Sequence, residues 1–514
     1  MHALQYQQIT GKLIPLKEPL TTLRQEPLTI VQTDWIIEHL QRCLLRDGQA
    51  TLGQQLYRLL REAIRSQQLK GGTALPASRA LAQALQVGRN TVLAAYDQLL
   101  AEGYLHSKQG AGTFVSEVFA QQSAHTPLTM PHAGLSQRGQ QLTAQCRLPT
   151  GLTGAFAPGL PELQQFPHHT WQRLQQVRSK QAPAHWWHYQ QQGGLPELRQ
   201  AVCDYLQLSR SVRCQPEQIL IVQGAQQALE LTARLLSDAG DCAWMEDPGY
   251  VGAQAALQAA GLQLTPVAVD DEGLNPAAAP AGSTPRLIYI TPSHQYPSGV
   301  VMSLQRRLEL LQLAETCNSW IIEDDYDSEF RYDAQPIASL QGLASSERVI
   351  YVGTFSKVMF PALRLGYLVI PPALIDSFRA AYARLYREGS YAQQAALADF
   401  IEQGHFARHI RRMRELYRIR QQLLRHTLDH ALGTALPLSA GQAGMHLVAR
   451  LPTHVDDQQL SNHAAQEQLW LRPLSGHYLE QAQQQGLVLG YAGVEETMIR
   501  QSALRLAQLL EPML

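Results

Sequence analysis

The sequence predicts an α/β protein built from two unequal folded units. Its 514 residues are too many for one ordinary domain, and 45% of them are apolar, which is enough for sizeable cores. One early stretch combines helical apolar spacing with two short strands, whereas the rest alternates short apolar runs with helix-length segments. We therefore expect a small, mostly helical unit, followed by a large unit with a mixed, mostly parallel sheet and helices on both faces.

Composition excludes several classes of protein. The formal net charge of -1 gives no global attraction to nucleic acid or to a membrane, so any DNA interface has to be a local basic patch. The six cysteines lack CxxC spacing and histidine neighbours, which favours reduced thiols, and we expect no metal site. No signal-peptide-like run is present, and no apolar stretch reaches about 18 residues. We expect a cytoplasmic protein without a membrane partner.

Residues 51 to 118 predict three helices and a hairpin. Apolar residues at helical spacing mark the first helix, Ser78 is expected to cap the second, and Gly88 to separate the second from the third. Two short strands then flank a glycine-bearing tip, and we expect them at 103 to 106 and 113 to 116. This order is that of a helix-turn-helix followed by a wing. Residues 1 to 50 form an extension to which the sequence assigns no role.

The third helix carries candidate DNA contacts. A helix-turn-helix presents the start of its recognition helix to base edges in the major groove. That helix begins with Arg89, Asn90 and Thr91, which can all form hydrogen bonds to bases or phosphates. Arg79 and Lys108 are candidates for phosphate or minor-groove contacts. A helical solubility module with ordinary surface arginines is the alternative, but the small unit has a local charge of about +3, the sign that DNA requires.

The large unit is expected at 141 to 514, after a linker at 119 to 140 that is rich in Gln, Ser, Thr, Pro and Gly. Ligands of parallel sheets bind beyond the carboxyl ends of the strands, so the residues that follow each strand are site candidates. The expected strands are ILIV (219 to 222), CAWM (242 to 245), RLIYI (286 to 290), WIIE (320 to 323) and VIYV (349 to 352).

Polar residues follow three of these strands. Asp324 comes after WIIE, Lys357 ends the segment GTFSK after VIYV, and Arg364 follows seven residues later. Lysine can form an imine with an aldehyde, and a carboxylate can keep a heterocycle nitrogen protonated. An arginine and the backbone N–H groups of a helix start, here after ILIV, can hold a phosphate. Each residue alone has an ordinary structural explanation, but together they suit a phosphorylated aldehyde.

Longer motifs resemble one family. The segment ALPASRALAQALQVGRNTVLAAYDQLLAEGYLHSKQGAGTFV resembles the winged helix of the GntR family of bacterial regulators. The segments EDPGY, TPSHQYPSG, EDDYDSEFRY and GTFSKVMFPALRLGY are similar to the fold type I aminotransferase domain of the MocR subfamily. The resemblance implies a DNA-binding transcription regulator whose large domain binds pyridoxal 5'-phosphate (PLP) and ends in a smaller α/β subdomain.

The resemblance also implies roles for single residues. Lys357 matches the Schiff-base lysine, and Asp324 the partner of the pyridine nitrogen. Tyr189 matches a tyrosine that related aminotransferases lend to the phosphate of the partner subunit, which implies a homodimer. The other implied cofactor contacts are Tyr326 at the ring hydroxyl, Tyr250 stacked on the ring, Ser356, and, at the phosphate, Thr354, Arg364 and the backbone of Ala225 and Gln226.

Two positions depart from the family pattern. Tyr296 stands where aminotransferases place an asparagine, so one usual ring contact is missing or replaced. Gly252 stands where the regulator of this group that senses γ-aminobutyrate has an arginine, so the carboxylate of that effector would lose its partner.

These observations predict a regulator that senses a small amino compound through an external aldimine that replaces the bond to Lys357. Its dimer would bind operator DNA with paired half-sites or direct repeats. Two alternatives stay open. PLP itself could be the signal, which Gly252 favours, or the chain could be an active aminotransferase with an appended DNA-binding domain. The complete set of lysine, acid and arginine favours the enzyme, Tyr296 disfavours it, and any turnover is expected to be slow or limited to half-transamination.

Overall fold

The chain divides into two compact units, residues 1 to 133 and 134 to 514. The structure is a computed structural model, and it describes residues 28–46, 50–117, 134–144, 154–332 and 338–514. The expected small and large units are both present.

The described part of the N-terminal unit is a helix-turn-helix with a hairpin, as predicted. Strands β1 and β2 pair antiparallel, with Leu105 opposite Val115. The elements are α1 (Leu28–Cys43), α2 (Leu52–Arg65), α3 (Ser78–Leu85), α4 (Arg89–Ala101), β1 (Leu105–Lys108) and β2 (Gly112–Val115).

Three local predictions for this unit were wrong. Ser78 is the first residue of α3 rather than its cap, because Ala77 occupies the N-cap position without a side-chain hydrogen bond. The first strand begins two residues later than predicted, because Gly103, with φ at +77°, still belongs to the turn that ends α4. The second strand begins one residue earlier, at Gly112.

Helix α1 shows what part of the extension does. Its side chains Ile36 and Leu40 are each 1% exposed and lie in the same hydrophobic core as Leu60 of α2 and Leu81 of α3. The Gln41 side chain also donates a hydrogen bond to the backbone of α3. Because burial of apolar surface is the main favourable term in folding, α1 stabilises the small unit.

The large unit contains an eight-stranded sheet in the order β3-β10-β9-β8-β7-β4-β5-β6. Among these described strands, β9, β8, β7, β4 and β5 pair parallel in that order, whereas β10 pairs antiparallel with β3 and β9, and β6 antiparallel with β5. The sheet is therefore mixed and mostly parallel, as predicted. All five predicted strands are present in it. The strands are β3 (Ile219–Val222), β4 (Cys242–Asp247), β5 (Gln263–Asp270), β6 (Gly273–Leu274), β7 (Leu287–Ile290), β8 (Trp320–Asp325), β9 (Val349–Thr354) and β10 (Gly366–Val369).

Helices cover both faces of this sheet. Consecutive residues of a strand point to opposite faces, and Ile321 and Ile322 accordingly lie in two different cores. The helices of the large unit are α5 (Gln137–Ala144), α6 (His168–Lys180), α7 (Pro196–Arg210), α8 (Ala225–Leu236), α9 (Val251–Ala260), α10 (Leu304–Thr316), α11 (Leu340–Leu343), α12 (Ile375–Leu385), α13 (Tyr391–Glu402), α14 (His405–Leu432), α15 (Asp457–Gln466) and α16 (Glu496–Leu510).

Helix α5 corrects the end of the predicted linker. The linker was expected at 119 to 140, but α5 begins at Gln137 and contacts α9 of the large unit. Most of the remaining linker lies outside the described residues.

The chain ends in the expected smaller subdomain. Strands β11 (His446–Leu451), β12 (Arg472–Pro473) and β13 (Gln485–Gly490) form an antiparallel sheet in the order β11-β13-β12. The long helix α14 packs along α16 beside this sheet. Among the described residues, no helix combines the length and apolarity that crossing a membrane requires.

Candidate functional site

A cavity of about 360 Å³ lies at the carboxyl ends of the parallel strands. This is where the sequence predicted the site, because loops that follow parallel strands converge at one edge of the sheet. Nine of the ten predicted lysine and cofactor residues line it: Ala225, Gln226, Tyr250, Asp324, Tyr326, Thr354, Ser356, Lys357 and Arg364. The tenth, Tyr189, does not.

Lys357 follows β9 and offers its amine to the cavity. Its Nζ donates a hydrogen bond to the carbonyl of Gly159 at 2.9 Å. A Cβ built on Gly159 would lie 2.6 Å from Nζ, and this residue has φ at +74°. Burial lowers the pKa of Lys357, an effect that the charges of Asp327 and Asp324 partly offset. A lowered pKa increases the fraction of neutral, nucleophilic amine.

Asp324 lies at the end of β8 and is 3% exposed. One carboxylate oxygen, Oδ2, accepts a hydrogen bond from the Tyr289 hydroxyl of neighbouring β7 at 2.8 Å. The other, Oδ1, is buried and has no hydrogen-bond partner among the described residues. Burial raises the pKa of Asp324 to about 7, although the Tyr289 hydrogen bond acts in the opposite direction. A cationic ring N–H in the cavity would supply the missing partner and favour the ionised carboxylate.

Another part of the cavity lining is suited to an anion. Helix α8 starts at Ala225, directly after Gly224, whose φ of +84° turns the chain from β3 into the helix. The first N–H groups of a helix have no intrahelical acceptor and carry a partial positive charge. The guanidinium of Arg364 lies beside Gly224, and its Nη2 donates to the carbonyl of Gln223 at 3.1 Å. The hydroxyls of Thr354 and Ser356 line the same cavity.

The Tyr250 ring depends on Gly252. A Cβ at position 252 would lie 2.4 Å from Cζ of Tyr250 and 2.5 Å from its hydroxyl oxygen. The carbonyl of Gly252 accepts a hydrogen bond from the Gln226 side chain at 2.7 Å. Any larger residue at 252, such as arginine, would displace the ring. Gly252 therefore sets the position of the tyrosine that was predicted to cover the cofactor.

Tyr326 lines the cavity beside a second polar group. Its hydroxyl lies 3.0 Å from Nδ1 of His294, and that nitrogen is also 3.0 Å from Oδ2 of Asp327. Tyr296, which replaces the usual asparagine, makes an edge contact with the Tyr326 ring at 5.9 Å between centroids. Another edge contact joins Tyr296 to His446, at 5.2 Å. The departure at Tyr296 therefore adds an aromatic side chain to the cavity wall.

Tyr189 lies apart from the cavity in its own chain. Its side chain is 77% exposed, and the guanidinium of Arg387 lies 5.0 Å from its ring centroid. The contact with a partner subunit that the sequence predicted for Tyr189 stays a prediction.

The predicted DNA contacts lie on the surface of the small unit. Arg89 and Asn90 are exposed at the start of α4, where Thr91 is half-buried. Arg79 is exposed near the start of α3. Lys108 is exposed at the end of β1, and its ammonium lies 5.4 Å from the ring centroid of Phe114 on the wing. The positions suit the predicted contacts, which stay predictions.

Sequence reasoning missed several residues of the cavity. Tyr289 is an interior residue of a buried strand, and the strand pattern gives no sign that its hydroxyl reaches Asp324. Gly159 lies 198 residues from the lysine that it contacts. Asp327 and His294 did stand in quoted motifs, next to residues that were singled out, and this proximity was the available signal.

The residues present fit PLP. Asp324 Oδ1 lacks a partner that a protonated pyridine nitrogen would provide, and Lys357 offers an amine to an aldehyde. The start of α8 and Arg364 suit a phosphate.

Comparison with known proteins agrees with this fit. Residues 161–506 match the profile of the family "Aminotransferase class I and II", and residues 52–115 match "Bacterial regulatory proteins, gntR family". The "Probable rhizopine catabolism regulatory protein MocR" of Rhizobium meliloti is 42% identical over 464 residues, which cover 89% of this chain and 93% of that protein.

Two further relatives differ in kind. The "HTH-type pyridoxine biosynthesis transcriptional regulator PdxR" of Corynebacterium glutamicum is 31% identical over 450 residues, 87% of this chain and 93% of that protein. The crystal structure of the α-aminoadipate aminotransferase LysN from Thermus thermophilus matches with a TM-score of 0.65 and 26% identity. That match covers 74% of this chain and 95% of LysN.

Proposed function

Because the chain belongs to the MocR-type subfamily of GntR-family transcription regulators, we propose that a small amino compound controls its DNA binding by competing with Lys357 for bound PLP. The observation that carries the proposal is the pairing, in one cavity, of the Lys357 amine with the buried, unpartnered Oδ1 of Asp324. The same chain carries a winged helix, which supports DNA binding as the property that the effector controls.

Each cavity residue has a defined task in this proposal. When bound, PLP supplies an aldehyde carbon that reacts reversibly with primary amines and a ring that withdraws electrons. Lys357 provides the amine that an effector has to displace. Asp324 would hold a proton on the ring nitrogen, and Arg364 with the start of α8 would hold the phosphate. These residues would keep the cofactor in the cavity without a bond to Lys357.

The effector has to prefer one of two states of the protein. A ligand shifts a conformational equilibrium only by its differential affinity for the states, and allosteric couplings are typically about 1–3 kcal/mol, or 5–150-fold in affinity. The proposal therefore requires that release of Lys357 changes how the winged helices bind DNA. The proposal also requires that the protein lies in the cytoplasm, where it has access to DNA.

A homodimer is part of the proposal. Tyr189 supports it, because this residue matches a partner-subunit phosphate ligand and is exposed outside the cavity of its own chain. Paired half-sites in the operator follow from a two-fold dimer. Light scattering after size-exclusion chromatography should give twice the mass of the chain, and a monomer at working concentrations would contradict this part.

The test is the variant Lys357→Ala. DNA that wild-type protein selects from a random-sequence pool serves as the probe, and a panel of primary amines is titrated against the PLP-loaded protein. We expect an active amine to change the DNA affinity of the wild type by about 5-fold or more. Lys357→Ala should bind the same DNA but lose this response, whereas the exposed control Lys180→Ala should keep it. An unchanged response in Lys357→Ala would overturn the proposal.

PLP as the signal is a second candidate, supported by the similarity to PdxR, which is a pyridoxine biosynthesis transcriptional regulator. In that case addition of PLP alone would change the DNA affinity of cofactor-free protein, and no amine would change it further. The same titrations separate the two candidates. Formation of keto acid at about 1 per second or faster would instead favour a working aminotransferase.

A further inference from the structure

We infer that His294 and Asp327 form a positioning pair that keeps the hydroxyl hydrogen of Tyr326 directed into the cavity. The inference rests on the proposed function, since the group that receives this hydrogen is bound PLP. The three residues come from the loops after β7 and β8, which are neighbouring parallel strands, so their side chains meet at one edge of the sheet.

The argument depends on how many hydrogen bonds one ring nitrogen can form. Nδ1 of His294 lies 3.0 and 3.2 Å from the two carboxylate oxygens of Asp327 and 3.0 Å from the Tyr326 oxygen. A ring nitrogen either carries one hydrogen or offers one lone pair. If Nδ1 carries the hydrogen, it donates to Asp327. If Asp327 is protonated, it donates to the lone pair of Nδ1.

The hydroxyl hydrogen of Tyr326 has no acceptor at Nδ1 in either case. When Nδ1 carries a hydrogen, that hydrogen goes to Asp327 and the nitrogen has no lone pair left to accept from Tyr326. When Asp327 donates, the lone pair is already used. The Tyr326 hydrogen is therefore available to an acceptor in the cavity, and the resemblance places the cofactor ring hydroxyl oxygen there.

The His294 ring is held tightly in its place. A Cβ on Gly444 would lie 1.9 Å from Cε1 of this ring, and a Cβ on Gly299 would lie 3.3 Å from its Nε2. Both glycines have positive φ, +88° and +79°. Each position therefore favours glycine for two reasons: a Cβ would meet the His294 ring, and the backbone conformation disfavours other residues. The ring is 2% exposed, and turning Nδ1 away from Tyr326 would also give up its hydrogen bond with Asp327.

The sequence change at Tyr296 makes this pair matter more. Aminotransferases place an asparagine there, so one usual contact to the cofactor ring is missing or replaced in this chain. Where it is missing, Tyr326 carries a larger part of the hydrogen bonding at that side of the ring, and the direction of its hydrogen has a larger effect.

The experiment compares two substitutions of Asp327. Asp327→Asn removes the charge but keeps a hydrogen-bond partner for Nδ1, whereas Asp327→Ala removes both. In Asp327→Ala the free lone pair of Nδ1 draws the Tyr326 hydrogen away from the cofactor. The apparent pKa, measured as the pH midpoint of the change in the visible absorbance band of bound PLP, should then be higher in Asp327→Ala than in Asp327→Asn by about one unit. A hydrogen bond to a charged group contributes free energy equivalent to about one pKa unit.

The same pair of substitutions in a Tyr326→Phe background is the control. If the pair acts through Tyr326, the difference between alanine and asparagine disappears there. A difference of the same size in both backgrounds, or none in either, would overturn the inference. Asp327→Val replaces Asp327→Ala if the alanine variant does not fold, as judged by thermal unfolding of cofactor-free protein.

Two other results, a bound metal ion and a missing PLP absorbance band, can be told apart from the results above. The ligand atoms of His294, Asp327 and His446 lie within 4.8 Å of one another, so metal analysis of the purified protein is part of the test, and a stoichiometric divalent cation there would overturn the inference. Absence of any visible band when PLP is added to the wild type would contradict the proposed function itself.

Discussion

At the residue scale, the cavity is built from side chains that have little freedom to move. Gly159 and Gly252 are both in contact with a functional side chain that a Cβ would displace. Asp324 has one oxygen satisfied and one oxygen without a partner among the described residues. These features are those of a site arranged in advance for a planar, cationic ring.

The Tyr250 ring can be tested through its neighbour. Gly252→Ala leaves the backbone unstrained, since φ is not positive there, but its Cβ would come within 2.4 Å of the Tyr250 ring. The ring has to swing away, and we expect weaker PLP binding by about 3-fold or more with little change in thermal stability. Fluorescence titration with PLP measures the affinity, and Gly476→Ala, where the nearest atom is 3.6 Å from the Cβ, is the control. Equal PLP affinity in both variants would refute the proposed contact.

The ionisation of Asp324 predicts a pH dependence for cofactor-free protein. Its pKa is raised from 3.8 to about 7 by burial, so the folded state holds the proton more tightly than the unfolded state. The stability that Asp324 contributes is complete below about pH 4 and is lost as pH rises to about 7, by an amount of the order of 4 kcal/mol. Asp324→Asn has no proton to lose there, so it should gain stability relative to wild type between pH 5 and 8.

Thermal unfolding of both cofactor-free proteins over this pH range makes the comparison. Added PLP should remove much of the difference, because a ring N–H stabilises the carboxylate. Parallel stability curves for Asp324→Asn and wild type would show that this carboxyl titrates normally.

Sequence analysis identified those site residues that stand after a predicted strand in the chain. Asp324 was predicted because it comes directly after a buried apolar run, and Lys357 because it ends the short segment after another, since the ends of parallel strands converge. Tyr289 and Gly159 could not be predicted in this way. The hydroxyl of Tyr289 is hidden in a strand pattern, and the carbonyl of Gly159 reaches the lysine through a contact that only the folded chain creates.

At the element scale, the strands were predicted better than their boundaries. The runs ILIV, CAWM, RLIYI, WIIE and VIYV all became strands because apolar residues on both faces are typical of a buried parallel sheet. Strand β10 was not predicted, since its residues stand in a motif that was interpreted for its chemistry. Helix α1 could not be assigned to a unit from sequence, because its apolar face fits any hydrophobic surface of matching shape.

The recognition helix and the wing predict different effects on DNA binding. Arg89→Ala, at the exposed start of α4, should cost about 1–3 kcal/mol on selected DNA and relax its sequence preference. Lys108→Ala should weaken binding to all sequences alike and lower the slope of log affinity against log salt by about 1. Anisotropy titrations at several salt concentrations distinguish the two.

Arg58→Ala is the control for both, since Arg58 is exposed on α2 and was not predicted to contact DNA. If Arg89→Ala reduced binding to all sequences equally, α4 would not be the element that reads bases.

At the scale of the whole molecule, the chain joins a DNA-reading unit to a unit with the fold and cavity of an aminotransferase. The order of the two units could be predicted from motifs, because the winged helix and the aminotransferase-like segments each carry their own pattern. How occupancy of the cavity changes DNA binding could not be predicted, because that coupling depends on the relative free energies of two states rather than on a local pattern.

The most direct test of the account is chemical reduction of the PLP-loaded protein. Borohydride added to the coloured protein should abolish the visible band and leave a pyridoxyl group on the peptide that carries Lys357, as read by mass spectrometry. An excess of an active amine before reduction should prevent that labelling. A protein that takes up no PLP, or that carries the label on another lysine, would contradict the account.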